Sequence, residues 1–437
     1  MNSRIFDIYP RIPLFTTLLL FTITFFVYDD FGIRMILGYA VLMYVTLMYL
    51  VFRNNSIRLT RMKLLYLLFA SNLSALILIG KTDASSITFV LSIVLCAIAA
   101  VIGDIRRTEL KAAYWILAIF SILSTGYVIA VRVYPPLYTN GTRRLISSAS
   151  KLMNDELLKQ GYGISLGGNV VFIDYILMLF GLLTFNIIMA YKKELRHKLF
   201  YWGCLATCAV GMLFVNRKSE LLSFLIALAF CYQIQMGIST RKEKKKVVKI
   251  TAVIIVMAAV GLVFLGASGF LERYMTFFER LIGNMGGAET KVDLTSERGV
   301  LWALAFSLFQ EHPILGIGWG HFHEHLPESL NHLDNVHNNY LQLLCETGIV
   351  GFLLVVIPLI LVLKETVRSI RANRKRTNRE PMLMALNITS FGMQIAFLVL
   401  SFLDPCLYKM LFWAIFAIVV MLADSTEGAL NETLQIS

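Results

Sequence analysis

The sequence predicts an all-α, polytopic membrane protein of about twelve transmembrane helices with a mostly helical outer loop. Three observations carry that prediction. Of the 437 residues, 57% are hydrophobic and 16% are charged, against roughly 45–50% and about 25% in an ordinary soluble domain. Mean hydropathy is +0.69. The apolar residues gather in runs close to the ~20 that cross a bilayer as a helix. A soluble enzyme, a disordered chain and a fibrous one are excluded.

Twelve spans are read at 12–28, 33–52, 62–80, 86–103, 112–131, 170–190, 199–215, 219–237, 250–268, 341–363, 382–403 and 406–424. The first lacks a small-residue cleavage site, and Asp29 and Asp30 follow it at once. It is therefore read as a retained span rather than a signal peptide.

Charge sets the orientation. With the N-terminus inside, the alternate loops on that side hold 26 of the 40 Lys and Arg and 10 of the 28 acids. The inner side then carries +16 and the outer side −4, which together make the net +12. The runs Arg241–Lys246 and Arg371–Arg379 are the strongest anchors. As short loops between spans they read as orientation signals facing anionic lipid, not as nucleic-acid patches.

Two long loops fall outside, 132–169 and 269–340, and the whole chain 1–437 reads as one membrane domain under an outer cap. The second loop opens with an apolar-periodic stretch, Phe270 to Ile282, and polar residues 283–296 follow. A helix is expected from Arg298 to Gln310, stopped by Pro313, before the turn-rich Gly316-Ile317-Gly318-Trp319-Gly320. The six cysteines lie in or at the ends of apolar runs, which is neither a disulfide framework nor a zinc spacing. Cys204 and Cys208 share a helix face, and small apolar fillers are the preferred reading over a redox or metal pair.

The chemistry is expected on the outer face. No GxxxxGK[ST] run marks an ATP site. A proton-coupled transporter needs acids at mid-membrane, yet the span interiors read as nearly free of them, with Asp174 the nearest case.

Three outer sites stand out. Asn216-Arg217-Lys218-Ser219-Glu220 is a tight turn with two cations against the positive-inside trend. It is either a hydrated loop tip or an anion site, since Arg offers a planar fork to phosphate oxygens. Arg298 opens the outer helix with Trp302 one turn on. It is either a capping partner of Glu297 or a second anion ligand at a helix N-terminus. His337 leads into the tenth span, followed by Asn338, Asn339 and Tyr340. It is either an interfacial polar residue or a base able to take a proton near neutral pH. The run His321-Phe322-His323-Glu324-His325 is a weak metal signal without a partner at a known spacing, and no metal or other cofactor is assigned.

In this order the segments resemble the O-antigen ligase and Wzy-type polysaccharide polymerase superfamily. The carriers are Arg298 and Trp302, His312-Pro313-Ile314-Leu315-Gly316-Ile317-Gly318-Trp319-Gly320-His321-Phe322, His337-Asn338-Asn339-Tyr340-Leu341, and Glu346-Thr347-Gly348-Ile349-Val350-Gly351. The closest likeness covers about 296–351, while the span layout fits the whole chain. The turn at Arg217 has Asn and Lys where the family's Ser-Arg-Gly-type turn has Ser and Gly.

The resemblance implies a C-type glycosyltransferase in the bacterial cytoplasmic (inner) membrane, with both termini cytoplasmic. It implies metal-independent transfer of a glycan from undecaprenyl diphosphate to an acceptor sugar hydroxyl on the outer face. Arg217, Arg298 and His337 are then the expected catalytic residues. Beyond that carry-over, residue type makes Lys218 a candidate to assist Arg217 at the diphosphate and Asn338 a candidate to orient His337, while Tyr340 and Trp302 are either sugar-stacking rings or, the preferred reading, interface aromatics.

Repeat-unit polymerisation for O-antigen, capsule or exopolysaccharide is preferred to ligation onto lipid A-core. Membrane lipid is an expected partner, with a chain-length regulator or flippase as candidate protein partners; nucleic acid is not expected. The rival class is a lipid-linked oligosaccharide flippase, whose signature is two related halves around a charged cavity. The long outer loop breaks such symmetry.

Overall fold

The computed structural model describes residues 14–27, 32–52, 59–81, 83–145, 148–159, 161–164, 173–191, 198–238, 297–330, 335–376 and 380–425. The expected ninth span 250–268 and loop residues 269–296 lie outside them. The described residues form helices, turns and irregular segments, with no strand among them.

Five helices come first: α1 (Leu14–Val27), α2 (Gly32–Phe52), α3 (Arg61–Gly80), α4 (Ala84–Ile102) and α5 (Arg107–Val133). The next outer segment carries short α6 (Pro136–Asn140) and amphipathic α7 (Ser148–Lys159). Then come α8 (Ile173–Ala190), α9 (Lys198–Val215) and α10 (Lys218–Ile238). The outer helix α11 spans Glu297–Glu311, close to its expected bounds. The last three are α12 (Asn339–Lys375), α13 (Pro381–Leu400) and α14 (Met410–Asp424). Seven helices among the described residues are long and apolar enough to cross a membrane, and four shorter apolar ones accompany them.

Burial sorts the helices into a centre and a periphery. Helix α8 is apolar all round and buried all round, and α13 and α14 are nearly so. Such helices have no polar face to show to water. The helices around them keep large apolar side chains outward, including Leu64, Leu68 and Ile79 on α3 and Trp115, Ile119 and Leu123 on α5. That surface suits lipid.

The two ends of the bundle separate as the alternating loops require. At one end Lys63, buried on α3, bonds Gly103 O at 3.2 Å and pairs with Asp104 and Asp424 at 3.1 and 3.6 Å. Arg61 pairs with Glu365 there, and Arg374 donates to Gly237 O. At the other end Lys81 donates to Gly320 O at 2.9 Å, and Asn216 Nδ2 donates to Gly161 O at 2.9 Å. All of the first group were expected inside and all of the second outside.

Helix α12 differs from its expected span in two ways. It runs on through the basic segment to Lys375, because Lys, Arg and Ala are strong helix formers. It is also broken at Gly348, where φ is 62° and ψ −171°. A Cβ there would lie 2.2 Å from Ile314 O. The break opens backbone groups that the outer loop fills. Gly318 N donates to Glu346 O at 2.8 Å, Ile317 N to Cys345 O at 2.9 Å, and Ile349 N to Pro313 O at 2.9 Å. This strap accounts for one glycine in each segment, Gly348 and Gly316: a Cβ on Gly316 would meet Glu346 C at 2.4 Å.

Candidate functional site

Helix α9 ends at Val215 and α10 begins at Lys218, so Asn216 and Arg217 make the whole turn. Asn216 takes a positive φ of 64°, which Asn tolerates better than most side chains. The turn aims Arg217 across the bundle end instead of into bulk water. Its Nη2 lies 2.7 Å from Glu220 Oε1 and 3.5 Å from Asp404 Oδ1.

Asp404 sits in the turn between α13 and α14 and ties several elements together. Tyr175 on α8 donates to its Oδ2 at 3.2 Å, and Lys409 pairs with the same oxygen. Burial pushes the carboxyl up, but Lys409 and Arg217 outweigh it and hold Asp404 below the usual carboxylate range. Asp174, in the first turn of α8, is buried beside Glu220 and Arg217. Neither of its carboxyl oxygens has a hydrogen bond among the described residues.

The outer loop brings in the remaining pieces. Leu301, Ala305 and Leu308 of α11 pack with Phe322, Leu326, Leu330, Val336 and Cys345 in a small separate core. Trp302 Nε1 donates to Val336 O at 3.1 Å, pinning the residue before His337. His337 itself has a positive φ of 55°. Its Nδ1 is buried and has no hydrogen-bond partner among the described residues.

The charges acting on His337 come from Arg298, Asp404, Lys409 and Arg217. Burial, then the Arg298 charge, lowers the imidazole below its ordinary value. A neutral ring near pH 7 is the form that accepts a proton.

The structure thus brings Arg217, Arg298 and His337 into one electrostatic environment from segments far apart in the chain. Lys218 is half-buried as the first residue of α10. Three other expected contacts are engaged in holding the fold. Asn338 is the N-cap of α12, its side chain accepting from Tyr340 N and Leu341 N at 3.0 and 3.2 Å, so its Oδ1 caps the helix instead of orienting His337. Tyr340 donates to Leu398 O at 2.9 Å and packs on Phe402. Trp302 supports the loop, as above.

Sequence reasoning placed Asp404 in the short outer turn before the last span without giving it a role, and passed over Lys409, which carries no motif. Glu346, named above only within the run that carries the resemblance, is a further acid inside a span besides Asp174. Glu346 is buried; Tyr408 donates to it at 2.6 Å, and Gln342 and Phe322 N donate at 3.3 and 3.4 Å. The signal was present in the lone carboxyl of that apolar stretch. His321 of the His321–His325 run is engaged with Gly80 O at 3.0 Å and Glu324 at 3.1 Å.

At residues 203–356 the chain matches the family model described as O-antigen ligase. A search among curated proteins found no match. The matched stretch holds Arg217, Arg298 and His337.

Proposed function

We propose, from the match of residues 203–356 to the O-antigen ligase family model, that the protein moves a glycan from undecaprenyl diphosphate to a sugar hydroxyl on the outer face of the cytoplasmic membrane. Glycosyl transfer in general follows from the family. The donor, the side of the membrane and the residue roles are the proposal.

The observation that supports it is the environment of His337: a half-buried imidazole with its Nδ1 buried and unpartnered among the described residues, lowered below its ordinary value by burial and the Arg298 charge, with Arg217 acting in the same sense. In the proposed step the acceptor hydroxyl gives its proton to the His337 imidazole as its oxygen bonds to the anomeric carbon. The bond from that carbon to the diphosphate oxygen breaks, and the lipid diphosphate leaves with the electron pair. Arg298 and Arg217 neutralise the charge that develops on it. Acid–base help of this kind is worth ~10²–10⁴-fold. Removing one charge-stabilising donor costs on the order of 10²–10³-fold. No nucleotide is required, because cleavage of the diphosphate linkage drives the transfer. Attack opposite the leaving group inverts the anomeric centre.

A lipid-linked repeat unit is the first candidate acceptor, which makes the protein a polymerase. Lipid A-core as acceptor would make it a ligase with the same donor half-site. The test uses purified protein in detergent with EDTA and lipid-diphosphate-linked repeat units, beside His337→Ala. A ladder that disappears in the variant is expected. Transfer only when a lipid-core acceptor is added would replace polymerisation by ligation. No transfer to any acceptor by folded protein would overturn the reading and favour a flippase.

A further inference from the structure

We propose that Lys409 is a third cation of the donor site, binding the diphosphate together with Arg217 and Arg298. The proposal rests on the donor reading above and adds to it a residue that no motif pointed to.

A diphosphate diester carries two negative charges, and a dehydrated site must match them. Arg217 is already matched by Glu220 at 2.7 Å. Its second contact, Asp404, lies farther off at 3.5 Å. Asp404 has Lys409 on its other oxygen, with the Tyr175 hydroxyl beside it. Asp404 therefore links the two cations through one carboxylate.

The cations of this cluster are more accessible than its carboxylates. The Glu220 and Asp404 side chains are 0% and 7% exposed, while Arg217 and Lys409 keep 14% and 19%. The carboxylates lie behind and the cations in front. An ammonium group has three donors on a flexible stem. It can keep one on Asp404 and turn the others to phosphate oxygens. The ion pair holds Lys409 in place before the donor arrives, so less side-chain freedom is lost on binding.

Lys409 also lies in the same field as the proposed base. Its charge acts on His337 together with those of Arg298 and Arg217, and Asp404 acts in the opposite sense. Removing Lys409 should weaken donor binding and make His337 easier to protonate. A residue that only braces the turn would leave donor binding unchanged, whatever its charge does to His337.

The experiment measures binding of undecaprenyl diphosphate, without sugar, to the full-length protein in detergent, together with kcat/KM against pH. Lys409→Gln is expected to weaken the lipid at least tenfold, to raise donor KM more than acceptor KM, and to move the acid limb of the profile upward. Lys409→Arg should stay within about threefold, since charge is kept. The double variant Asp404→Asn with Lys409→Gln separates a lost contact from a stray carboxylate. Binding that stays weak in the double variant supports a direct contact. Binding restored in it overturns the proposal, as does unchanged binding in Lys409→Gln, whatever the acid limb does. If wild-type protein binds the lipid but transfers nothing, the transfer reading fails while Lys409 is still judged by the binding ratio. If wild-type protein does not bind it, both fall.

Discussion

Tyr408 donates its hydroxyl to Glu346 Oε2 at 2.6 Å, joining the turn before α14 to the upper part of α12. Trp319 of the outer loop stacks on the same tyrosine ring, with centroids 4.2 Å apart and planes at 14°. One phenol thus fastens a buried carboxyl, a helix and the strap that crosses it. Removing that donor leaves the acid under-satisfied in a buried place. Tyr408→Phe should therefore cost about 1–3 kcal/mol. A lower unfolding midpoint in detergent, with the stacked Trp319 fluorescence little changed, is the expected result.

Gly348 and Gly126 should respond oppositely to the same substitution. Gly348 combines a φ of 62° with a Cβ direction that meets Ile314 O at 2.2 Å, whereas a Cβ on Gly126 in α5 meets nothing within 4 Å. Gly348→Ala should lose about 1–3 kcal/mol from backbone strain, and more from the displaced strap. Gly126→Ala should gain roughly 0.5–1 kcal/mol, as helix interiors favour alanine. Paired unfolding curves check both, and a tolerated Gly348→Ala would contradict the strap geometry.

The pH profile of transfer tests the role of His337. Burial and the Arg298 charge lower its titration below the ordinary value, which is about 6.5. If the neutral ring is the base, activity holds at neutral pH and falls as pH drops through that lowered value. Arg298→Met removes a positive neighbour, so the acid limb of its residual activity should move upward. A limb that stays in place would separate the arginine from the histidine.

His321 is built to respond in the opposite sense. Its Nε2 contacts Gly80 O at 3.0 Å and its Nδ1 contacts a Glu324 carboxylate oxygen at 3.1 Å. Both partners accept, so both bonds need the doubly protonated ring. The Glu324 bond, then Gly80 O, raises its titration above the ordinary value. Its stabilising effect is therefore full below the unfolded value of about 6.5 and is lost as pH rises through the raised one. Protection factors across residues 316–326, with the intrinsic pH dependence of amide exchange divided out, should be larger at about pH 5.5 than at about pH 8.5, and His321→Gln should remove that difference.

Apolar run lengths and the Lys/Arg asymmetry are properties of single segments, so the helical membrane class and the alternation of the loops could be read directly. The outer placement of Arg217, Arg298 and His337 followed from that alternation, and their chemical types suggested an anion and a proton. What residue type does not carry is a partner. The partners of Asn338, Tyr340 and Trp302 are examples: Asn338 caps a helix, Tyr340 bonds Leu398 O and Trp302 bonds Val336 O.

The class of protein, the helices and the end of the bundle where the charges gather were determined by the sequence itself, because hydropathy and charge act locally along the chain. Tertiary structure decided which charges meet. Arg217 reaches Asp404 across 187 positions and Lys81 reaches Gly320 across 239. Such pairs depend on how buried helices pack around α8, α13 and α14, and a bare sequence has no local signature for that. The break at Gly348 is of the same kind: the glycine is visible in the sequence, but the loop that needs it is placed only by the fold.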